Sequence, residues 1–473
     1  MIFPRSVVAL TVLPSQLNIS SPYSVRNAAA TLAYDTMKYY DGNVSTDPLQ
    51  VGDLHKPYYW WVAGLLWGTM LDYYHLTKDP TYNDVVIQAL LAAPNLGENQ
   101  DYVPQDRSLE EGNDDLFFWG TAVMAAAERN FPQPNANLPS WLQLAENVFN
   151  SLVSRWNISN KCGGGLLWQI YATNPNGLTY KNSVSNGGFF HLAARLHRAT
   201  GNATYLEWAE KVWDWSVDIG LVDNQTYHIY DGVNINDNCQ TVNRQSFTYT
   251  SGIYLYGAAV LANQTESQTW SDRAQGLLKG GDWYFSPYPN ATDVMYEAGC
   301  EPYERCTVDA STHKSVLARY MWQTIQMMPS LREDIETKLN ASAKAAAKSC
   351  TGGQDQRTCG LKWYTGAYDG NPGLGPQVNA LGTIQGLLID ESAPPLKGDQ
   401  IQTIRDTNWT ALDTYKPDSP PPPPPPPEEP KNNTDTNKDG KDEEDAAPCR
   451  RSDGGLMLGA MTLAVAAGIL LVV

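Results

Sequence analysis

The stretch Thr-Lys-Asp-Pro-Thr-Tyr at residues 77–82 marks the end of one segment with helical apolar spacing and the start of the next. Similar turns occur at residues 200–205 (TGNATY) and, more loosely, at residues 265–270 (TESQTW). Residues 139–141 (PSW) and 329–331 (PSL) have the same form, with serine in the place of a helix N-cap. The first helical residues of the five copies are 59, 64, 65 and 61 residues apart, which indicates a repeated unit of one helix pair.

Twelve segments of the chain have apolar residues at the i, i+3 and i+4 spacing of a helix. The alternation of apolar and polar residues that is typical of a strand is almost absent from the sequence. The predicted helices cover residues 25–39, 58–76, 82–92, 114–130, 141–156, 186–199, 205–218, 249–262, 270–278, 312–327, 331–348 and 377–388. Residues 24–390 divided into six units give about 61 residues per unit, which matches the repeat. Six helix pairs of one size favour an all-α fold, an (α/α)6 toroid or barrel whose inter-pair loops line one face. An open superhelix is the alternative.

The composition is that of a globular and acidic protein. Of the 473 residues, 42% are hydrophobic and 18% are charged, and 33 Lys and Arg against 51 Asp and Glu give a net charge of −18. Because phosphate binding requires clustered positive charge, this balance argues against a nucleic-acid partner. The 15 Trp and 26 Tyr suit stacking on sugar rings, although a large helical core uses the same residues.

Glycosylation signals and cysteines indicate a secreted glycoprotein. Asn-X-Ser/Thr sequences begin at Asn18, Asn43, Asn157, Asn202, Asn224, Asn263, Asn290, Asn340, Asn408 and Asn432. Seven cysteines fit an oxidising compartment. Proximity along the chain favours three disulfides, joining Cys300 to Cys306, Cys350 to Cys359 and Cys162 to Cys239, with Cys449 left over. Six cysteines allow 15 connectivities, so the other pairings stay open at this point.

The two ends of the chain resemble targeting signals. Residues 1–20 form a weak secretory signal region, in which Arg5 precedes a short apolar run. After the catalytic domain predicted at residues 21–392, residues 393–447 form a Pro-rich and acidic stalk. Small residues, a polar spacer and an uncharged apolar tail predict a GPI-attachment signal at residues 448–473 that is removed on processing. A C-terminal membrane helix is the alternative.

Two adjacent aspartates, Asp114 and Asp115, follow a Gly-Asn turn and precede an Ala-rich helical run, in the sequence EEGNDDLFFW at residues 110–119. Hydrolysis of a glycosidic bond requires two carboxyl groups at the sugar, one neutral and one ionised. At a helix start the free N–H groups and the helix dipole favour the ionised form of one aspartate, and its charge makes the second harder to ionise. Capping alone is the competing explanation, because Asp is favoured in the first turn.

Seven short motifs, in family order along residues 24–390, resemble the fungal mannan endo-1,6-α-mannosidases of glycoside hydrolase family 76. They are PYYWW (57–61), NDD (113–115), CGGGLLWQI (162–170), SNGGFF (185–190), YDGV (230–233), TYTSG (248–252) and GLGPQ (373–377). The resemblance implies an (α/α)6 barrel, a GPI anchor and a retaining mechanism. It also implies that Asp114 is the nucleophile and Asp115 the general acid/base.

Six residues within these motifs are candidates for binding the substrate: Tyr59, Trp60, Trp168, Asn186, Asp231 and Tyr249. Core packing is the alternative for at least one of Tyr59, Trp60 and Trp168, and a turn is the alternative for Asp231, whereas Asn186 and Tyr249 are expected as hydrogen-bond donors in the groove. The six histidines show no zinc-binding spacing, so we predict neither a metal nor a cofactor. Lys314 and Arg319 are predicted on a solvated helix face.

The leading hypothesis is an extracellular glycosidase or transglycosidase that cleaves α-1,6-mannosidic linkages, in mannan or in GPI-glycan mannose, during fungal cell-wall biogenesis. Water or a hydroxyl of wall β-glucan would resolve the glycosyl-enzyme. The predicted location is the extracellular face of the plasma membrane, through a GPI anchor, or the cell wall. A catalytically inactive, mannan-binding wall protein of the lectin type is the alternative. Another (α/α)6 enzyme, such as a lyase or epimerase, would rely on His, Tyr or Arg instead of paired aspartates.

Overall fold

The computed structural model describes residues 13–133, 137–174 and 177–402. Most of the predicted signal region, the stalk beyond residue 402, Cys449 and the predicted GPI-attachment signal lie outside these residues. Within the described ranges, no helix combines the length and the apolarity needed to cross a bilayer.

Twelve long helices and one short helix make up most of the described chain. They are α1 (Pro22–Met37), α2 (Trp60–Thr77), α3 (Asn83–Leu91), α4 (Ala93–Leu96), α5 (Asn113–Glu128), α6 (Trp141–Arg155), α7 (Ser183–Thr200), α8 (Ala203–Asp218), α9 (Thr248–Thr265), α10 (Gln268–Gly280), α11 (His313–Met327), α12 (Arg332–Ser349) and α13 (Leu374–Gln385). All twelve predicted helices are confirmed, with ends displaced by a few residues. The short α4 was not predicted.

Six of the helices form a closed inner ring. Helix α2 packs on α5, α5 on α7, α7 on α9, α9 on α11 and α11 on α13, and α13 returns to α2. Helices α1, α3, α6, α8, α10 and α12 pack against the outside of these six. Inner helices such as α5 are buried on nearly every side, as expected of helices that are apolar all round. The (α/α)6 toroid is therefore confirmed, and the open superhelix is excluded.

The inner helices begin at one end of the ring, which we call the mouth. The backbone N–H of Leu374, at the start of α13, donates to the hydroxyl of Tyr58, just before α2, at 2.9 Å. Tyr249, at the start of α9, stacks on His313, the first residue of α11, with ring centroids 3.9 Å apart. Because helix N-termini carry partial positive charge, the mouth favours acidic side chains.

Short strands and disulfides brace the loops at the mouth. Strands β1 (Tyr180–Asn182), β2 (Gly232–Asn234) and β3 (Val242–Asn243) form an antiparallel sheet, in which Tyr180 pairs with Asn234. Strands β4 (Cys350–Gly352) and β5 (Thr358–Cys359) form a second pair. Disulfides join Cys162 to Cys239, Cys300 to Cys306 and Cys350 to Cys359, which confirms the pairing favoured by proximity.

Residues 393–402, which we call the strap, lie across the opposite end of the ring. The backbone N–H of Leu396 donates to the carbonyl of Glu128, the last residue of α5, at 2.7 Å. The backbone N–H of Gln402 donates to Asn130 Oδ1 at 2.7 Å. The composition assigns these residues to the stalk, but the structure shows them packed on the barrel.

Buried ion pairs occupy the same end of the ring as the strap. Arg195 Nη2 lies 2.6 Å from Glu128 Oε2, and Arg319 Nε lies 2.5 Å from Asp72 Oδ2. Arg129 also pairs with Asp72. The positive charges complement the negative ends of the inner helices. Arg319 is only 6% exposed, so the prediction that it lies on a solvated face is wrong.

Candidate active site

The aspartate pair lies in the first turn of α5, at the mouth. The backbone N–H of the N-cap residue Gly112 donates to Asp115 Oδ2 at 2.8 Å, and Asp115 Oδ1 has no hydrogen-bond partner among the described residues. Asp114 Oδ1 accepts the backbone N–H of Asp115 at 3.2 Å. Asp115 is 4% exposed, whereas Asp114 is partly exposed. Capping uses one oxygen of Asp115 and leaves the other for chemistry, so the two explanations of the pair are compatible.

A backbone bridge holds this helix start against the segment that contains Trp168. Gly112 and Gln169 form an isolated antiparallel bridge, and the backbone N–H of Asn113 donates to the Trp168 carbonyl at 2.8 Å. A Cβ atom on Gly112 would lie 2.7 Å from that carbonyl and would also clash with the Asp114 carboxylate. Position 112 therefore requires glycine, because only glycine permits this approach.

The two carboxyl groups differ in their proton affinity. Burial raises the pKa of both Asp114 and Asp115. Hydrogen bonds from backbone N–H groups of the pair and from the side chains of Asp115 and Asn182 partly offset the rise in the pKa of Asp114. The negative charge of Asp114 raises the pKa of Asp115 further. The environment therefore favours a carboxylate at Asp114 and a proton on Asp115.

A third carboxyl group, that of Glu111, is enclosed next to the pair. It is fully buried, and neither of its side-chain oxygens has a hydrogen-bond partner within the described ranges. Burial raises the pKa of Glu111 to about 9, although the positive charges of Arg155 and Arg107 act in the opposite direction. The protonated form of Glu111 is therefore favoured near pH 7, so this residue adds little negative charge next to the pair.

Asp231 and Tyr249 are placed together with the pair at the mouth. Tyr180 donates its hydroxyl to Asp231 Oδ2 at 2.6 Å, and Asn243 Nδ2 donates to the same oxygen at 3.0 Å. Burial, followed by the charges of Asp231 and Asp114, raises the pKa of Tyr249 well above its ordinary value. The Tyr249 phenol therefore keeps its proton, close enough to Asp231 and Asp114 to feel both charges.

The other four candidate binding residues divide into two pairs. Tyr59 is 46% exposed and Trp168 is partly exposed, so both rings are accessible. Trp60 is fully buried, stacks on Trp119 and donates its indole N–H to a neighbouring amide, so it packs the core and cannot stack on a sugar. Asn186 is also fully buried, and its amide is bonded to backbone groups of Leu166 and Asn182, so its role is structural.

The sequence predictions missed four residues that complete the mouth. Asn182, the N-cap of α7, interacts with the nucleophile candidate, as described above. Trp61 Nε1 donates to Asp309 Oδ1 at 3.1 Å, and the Trp61 ring lies near that of His313, with centroids 6.2 Å apart. The signal for Asn182 was present, because Asn before Ser-Val-Ser is a typical N-cap sequence. The Trp61–Asp309 bond joins residues far apart in the chain and left no local signal.

Lys314, the second residue of α11, is fully buried, so its predicted position on a solvated face is wrong. Its Nζ lies 2.8 Å from Glu301 Oε1 and also donates to the Leu361 carbonyl at 2.5 Å.

No group of three or more His, Cys, Asp or Glu side chains among the described residues is arranged to bind a metal ion.

Comparison with known proteins gives consistent matches over the barrel. The glycosyl hydrolase family 76 profile matches residues 24–399. The mannan endo-1,6-alpha-mannosidase DCW1 of Candida glabrata is 46% identical over 390 residues, which cover 82% of this chain and 85% of the relative. The mannan endo-1,6-alpha-mannosidase DFG5 of Saccharomyces cerevisiae is 43% identical over 81% of this chain and 82% of its own length.

Solved structures share the fold. Dfg5 from Chaetomium thermophilum, crystallised in complex with glucosamine, is 38% identical, with a TM-score of 0.77 over 83% of this chain and 97% of that chain. An inactive variant of the α-1,6-mannanase GH76A of Salegentibacter, with two aspartates replaced by asparagine and α-1,6-mannotriose bound, is 20% identical. Its TM-score is 0.60 over 77% of this chain and 99% of that chain, so this second likeness concerns the fold alone.

Proposed function

The chain belongs to glycosyl hydrolase family 76, and from this premise we propose that it is a retaining mannan endo-1,6-α-mannosidase. The observation that supports the proposal most directly is the placement of two adjacent carboxyl groups in the first turn of α5 at the mouth, with Asp115 buried and bonded to the helix start and Asp114 partly exposed, because double displacement requires two carboxyl groups at the sugar. The relatives that carry this enzyme name span four fifths of the chain.

In the first step, the free carboxylate oxygen of Asp114 attacks the anomeric carbon of a mannose residue. The bond from that carbon to the bridging oxygen breaks, and Asp115 donates its proton to the leaving oxygen. A glycosyl ester on Asp114 results, and Asp115 is now a carboxylate. In the second step, Asp115 removes a proton from the incoming hydroxyl, whose oxygen displaces the ester and regenerates the Asp114 carboxylate.

The remaining residues of the mouth position the sugar. Tyr180 and Asn243 both donate to Asp231 Oδ2, so the other oxygen, Asp231 Oδ1, is the acceptor for a mannose hydroxyl. The protonated Tyr249 phenol can donate a hydrogen bond to a sugar oxygen, and the accessible rings of Tyr59 and Trp168 provide apolar faces for sugar stacking.

The hydroxyl of the second step belongs either to water or to a wall β-glucan, and in the latter case the enzyme transfers a mannosyl-linked protein to the wall. This role agrees with a secreted protein held at the outer face of the plasma membrane by a GPI anchor, or in the cell wall, as the two ends of the sequence predict. The substrate is then α-1,6-mannan or the mannose of a GPI glycan.

The test compares purified wild-type protein with Asp114→Asn and with Asp84→Asn, which alters an acidic first-turn residue of the outer helix α3. Wild type and Asp84→Asn are expected to shorten linear α-1,6-mannan, and the first product seen by NMR should have the α configuration. Asp114→Asn should bind mannan and leave it intact. A β product would contradict the retaining mechanism, and equal binding without cleavage by all three proteins would support the lectin alternative.

A further inference from the structure

A small cavity lies at the strap end of the ring, next to the C-terminal ends of α2 and α5. Its volume is about 120 Å³, which is room for a few water molecules or one phosphate group. Two aromatic rings and four nitrogen-bearing side chains dominate its lining: Tyr74, Phe131, His75, Lys78, Arg129 and Asn130. Because Arg129 directly follows α5, the cavity lies at the opposite end of this helix from the aspartate pair.

Two neighbouring helix ends bring the cations of the cavity together. Lys78 is the C-cap of α2, in the left-handed conformation, and Arg129 is the C-cap of α5. The two helices pack side by side in the inner ring. The edge of the Tyr74 ring meets the Phe131 ring, with centroids 5.6 Å apart, which fixes one helix end against the other. The lining is therefore preorganised by the barrel.

The cations at this cavity outnumber the carboxylates. Asp72 pairs with Arg129 and also with Arg319, so one carboxylate is shared by two guanidinium groups. Lys78 Nζ donates to the carbonyl of His75 at 2.6 Å and has no carboxylate partner within the described ranges. The ends of α2 and α5 each carry a partial negative charge of about half a unit, which leaves an excess of about one positive charge.

The cations that line the cavity repel each other. Burial and then the charge of Arg129 lower the pKa of Lys78. Burial, followed by the charges of Arg129 and Lys78, lowers the pKa of His75 to about 3. The His75 ring is therefore neutral near pH 7, and its Nε2–H donates to the carbonyl of Ala393 in the strap at 3.0 Å. An anion in the cavity would replace this repulsion by attraction.

We propose that the cavity binds a small oxyanion, a phosphate group, between Lys78 and Arg129. Both cations recognise such a group through charge-assisted hydrogen bonds. Asn130 lines the same cavity and holds the strap, since its Nδ2 donates to the Gln400 carbonyl at 2.9 Å and its Oδ1 accepts the N–H of Gln402. The bound anion would therefore join α2, α5 and the anchor of the strap. The inference is independent of the proposed function, because the aspartates lie at the other end of the ring.

The test titrates inorganic phosphate into the purified protein by calorimetry, in a chloride buffer at pH 7. We expect one site with a dissociation constant of about 1 mM or tighter, and a melting temperature that rises with phosphate but not with sodium chloride of equal ionic strength. Lys78→Gln should weaken phosphate binding by about tenfold, Lys78→Arg should retain it, and mannan hydrolysis should not change in either variant. The matched control is Lys348→Gln, which removes an exposed lysine from the last turn of α12.

A vesicle flotation assay identifies the source of the phosphate group. Flotation with vesicles that contain phosphatidic acid but not with phosphatidylcholine alone, lost in Lys78→Gln, would assign the site to a lipid headgroup. Binding of inorganic phosphate without flotation would assign it to a free phosphate. Equal phosphate affinity in wild type and Lys78→Gln, or no phosphate binding to either protein, would overturn the proposal. A thermal unfolding curve without phosphate verifies that each variant is folded.

Discussion

Replacement of Asn182 by alanine tests whether the neighbours of Asp114 keep it ionised. Asn182 caps α7 by accepting the backbone N–H of Ser185 at 3.1 Å, and its interaction with the Asp114 carboxylate lowers the pKa of that group. A hydrogen bond to a charged group contributes about 1.5–3 kcal/mol, which corresponds to a pKa change of about one to two units. The loss of the cap itself should lower the free energy of unfolding by about 1 kcal/mol.

The pKa of Asp114 determines how the hydrolysis rate depends on pH at the acidic end. The reaction requires ionised Asp114, so activity falls as the pH drops through its pKa. Removal of Asn182 raises that pKa, and the acidic limb of kcat/KM for mannan should move to higher pH by about one unit. The assay is a pH profile of hydrolysis together with thermal unfolding.

The matched control is Ser140→Ala, which removes the buried N-cap of α6, a serine that accepts the backbone N–H of Gln143 at 3.2 Å. Both variants should lose similar stability, and only Asn182→Ala should shift the acidic limb. If the two pH profiles superimpose on that of the wild type, Asn182 is only a helix cap, and the account of how Asp114 stays ionised fails.

Three further predictions concern other parts of the barrel. Asp115→Asn should abolish mannan hydrolysis but retain part of the glycosylation rate on an aryl mannoside, because the leaving group of that substrate needs no proton. The burst of released phenol measures this rate. Equal loss of activity on both substrates would contradict the role of Asp115 as the acid. Gly112→Ala should lower kcat by at least about tenfold, measured with mannan, because its Cβ would press on the Trp168 carbonyl. Lys314→Met should lower the free energy of unfolding by about 3–5 kcal/mol, because it leaves the buried Glu301 carboxylate unpaired. The measurement is a urea titration, and an unchanged midpoint would show that this ion pair does not stabilise the fold.

Local periodicity was sufficient to predict the six helix pairs. Apolar spacing located the helices, and the turns that resemble residues 77–82 recur at nearly constant distance, so the number of helix pairs followed from the chain length. Closure into a ring is a property of long-range packing, and the repeat by itself left the open superhelix as an alternative. The contact between α13 and α2 decides between them.

The side chains at the mouth were less predictable, because a shift of one residue turns a helical side chain by about 100°. Trp60 and Trp61 are adjacent in the sequence, yet Trp60 packs in the core and Trp61 lies at the mouth. Similarly, the helix predicted from Asn186 begins at Ser183, which makes Asn182 the cap at the site and buries Asn186. Periodicity identifies the helix, but the phase of its first turn depends on the cap.

Burial of Lys314 and Arg319 was unpredictable for a different reason. Both residues have the composition of an exposed helix face, and each is neutralised by a carboxylate from another part of the chain. The sequence shows a charge but not its distant partner, so the default expectation of a solvated lysine or arginine fails at these two positions.

The strap keeps residue 402 at the end of the ring opposite the mouth. Helix α5 carries Asp114 in its first turn and Glu128 in its last, so these two residues are about 21 Å apart along its axis, and the strap is bonded to the carbonyl of Glu128. Residue 402 lies remote from the aspartates, and a pulling force applied at this residue would load the hydrogen bonds of the strap before it reached them. A long polysaccharide could therefore approach the mouth without passing the strap.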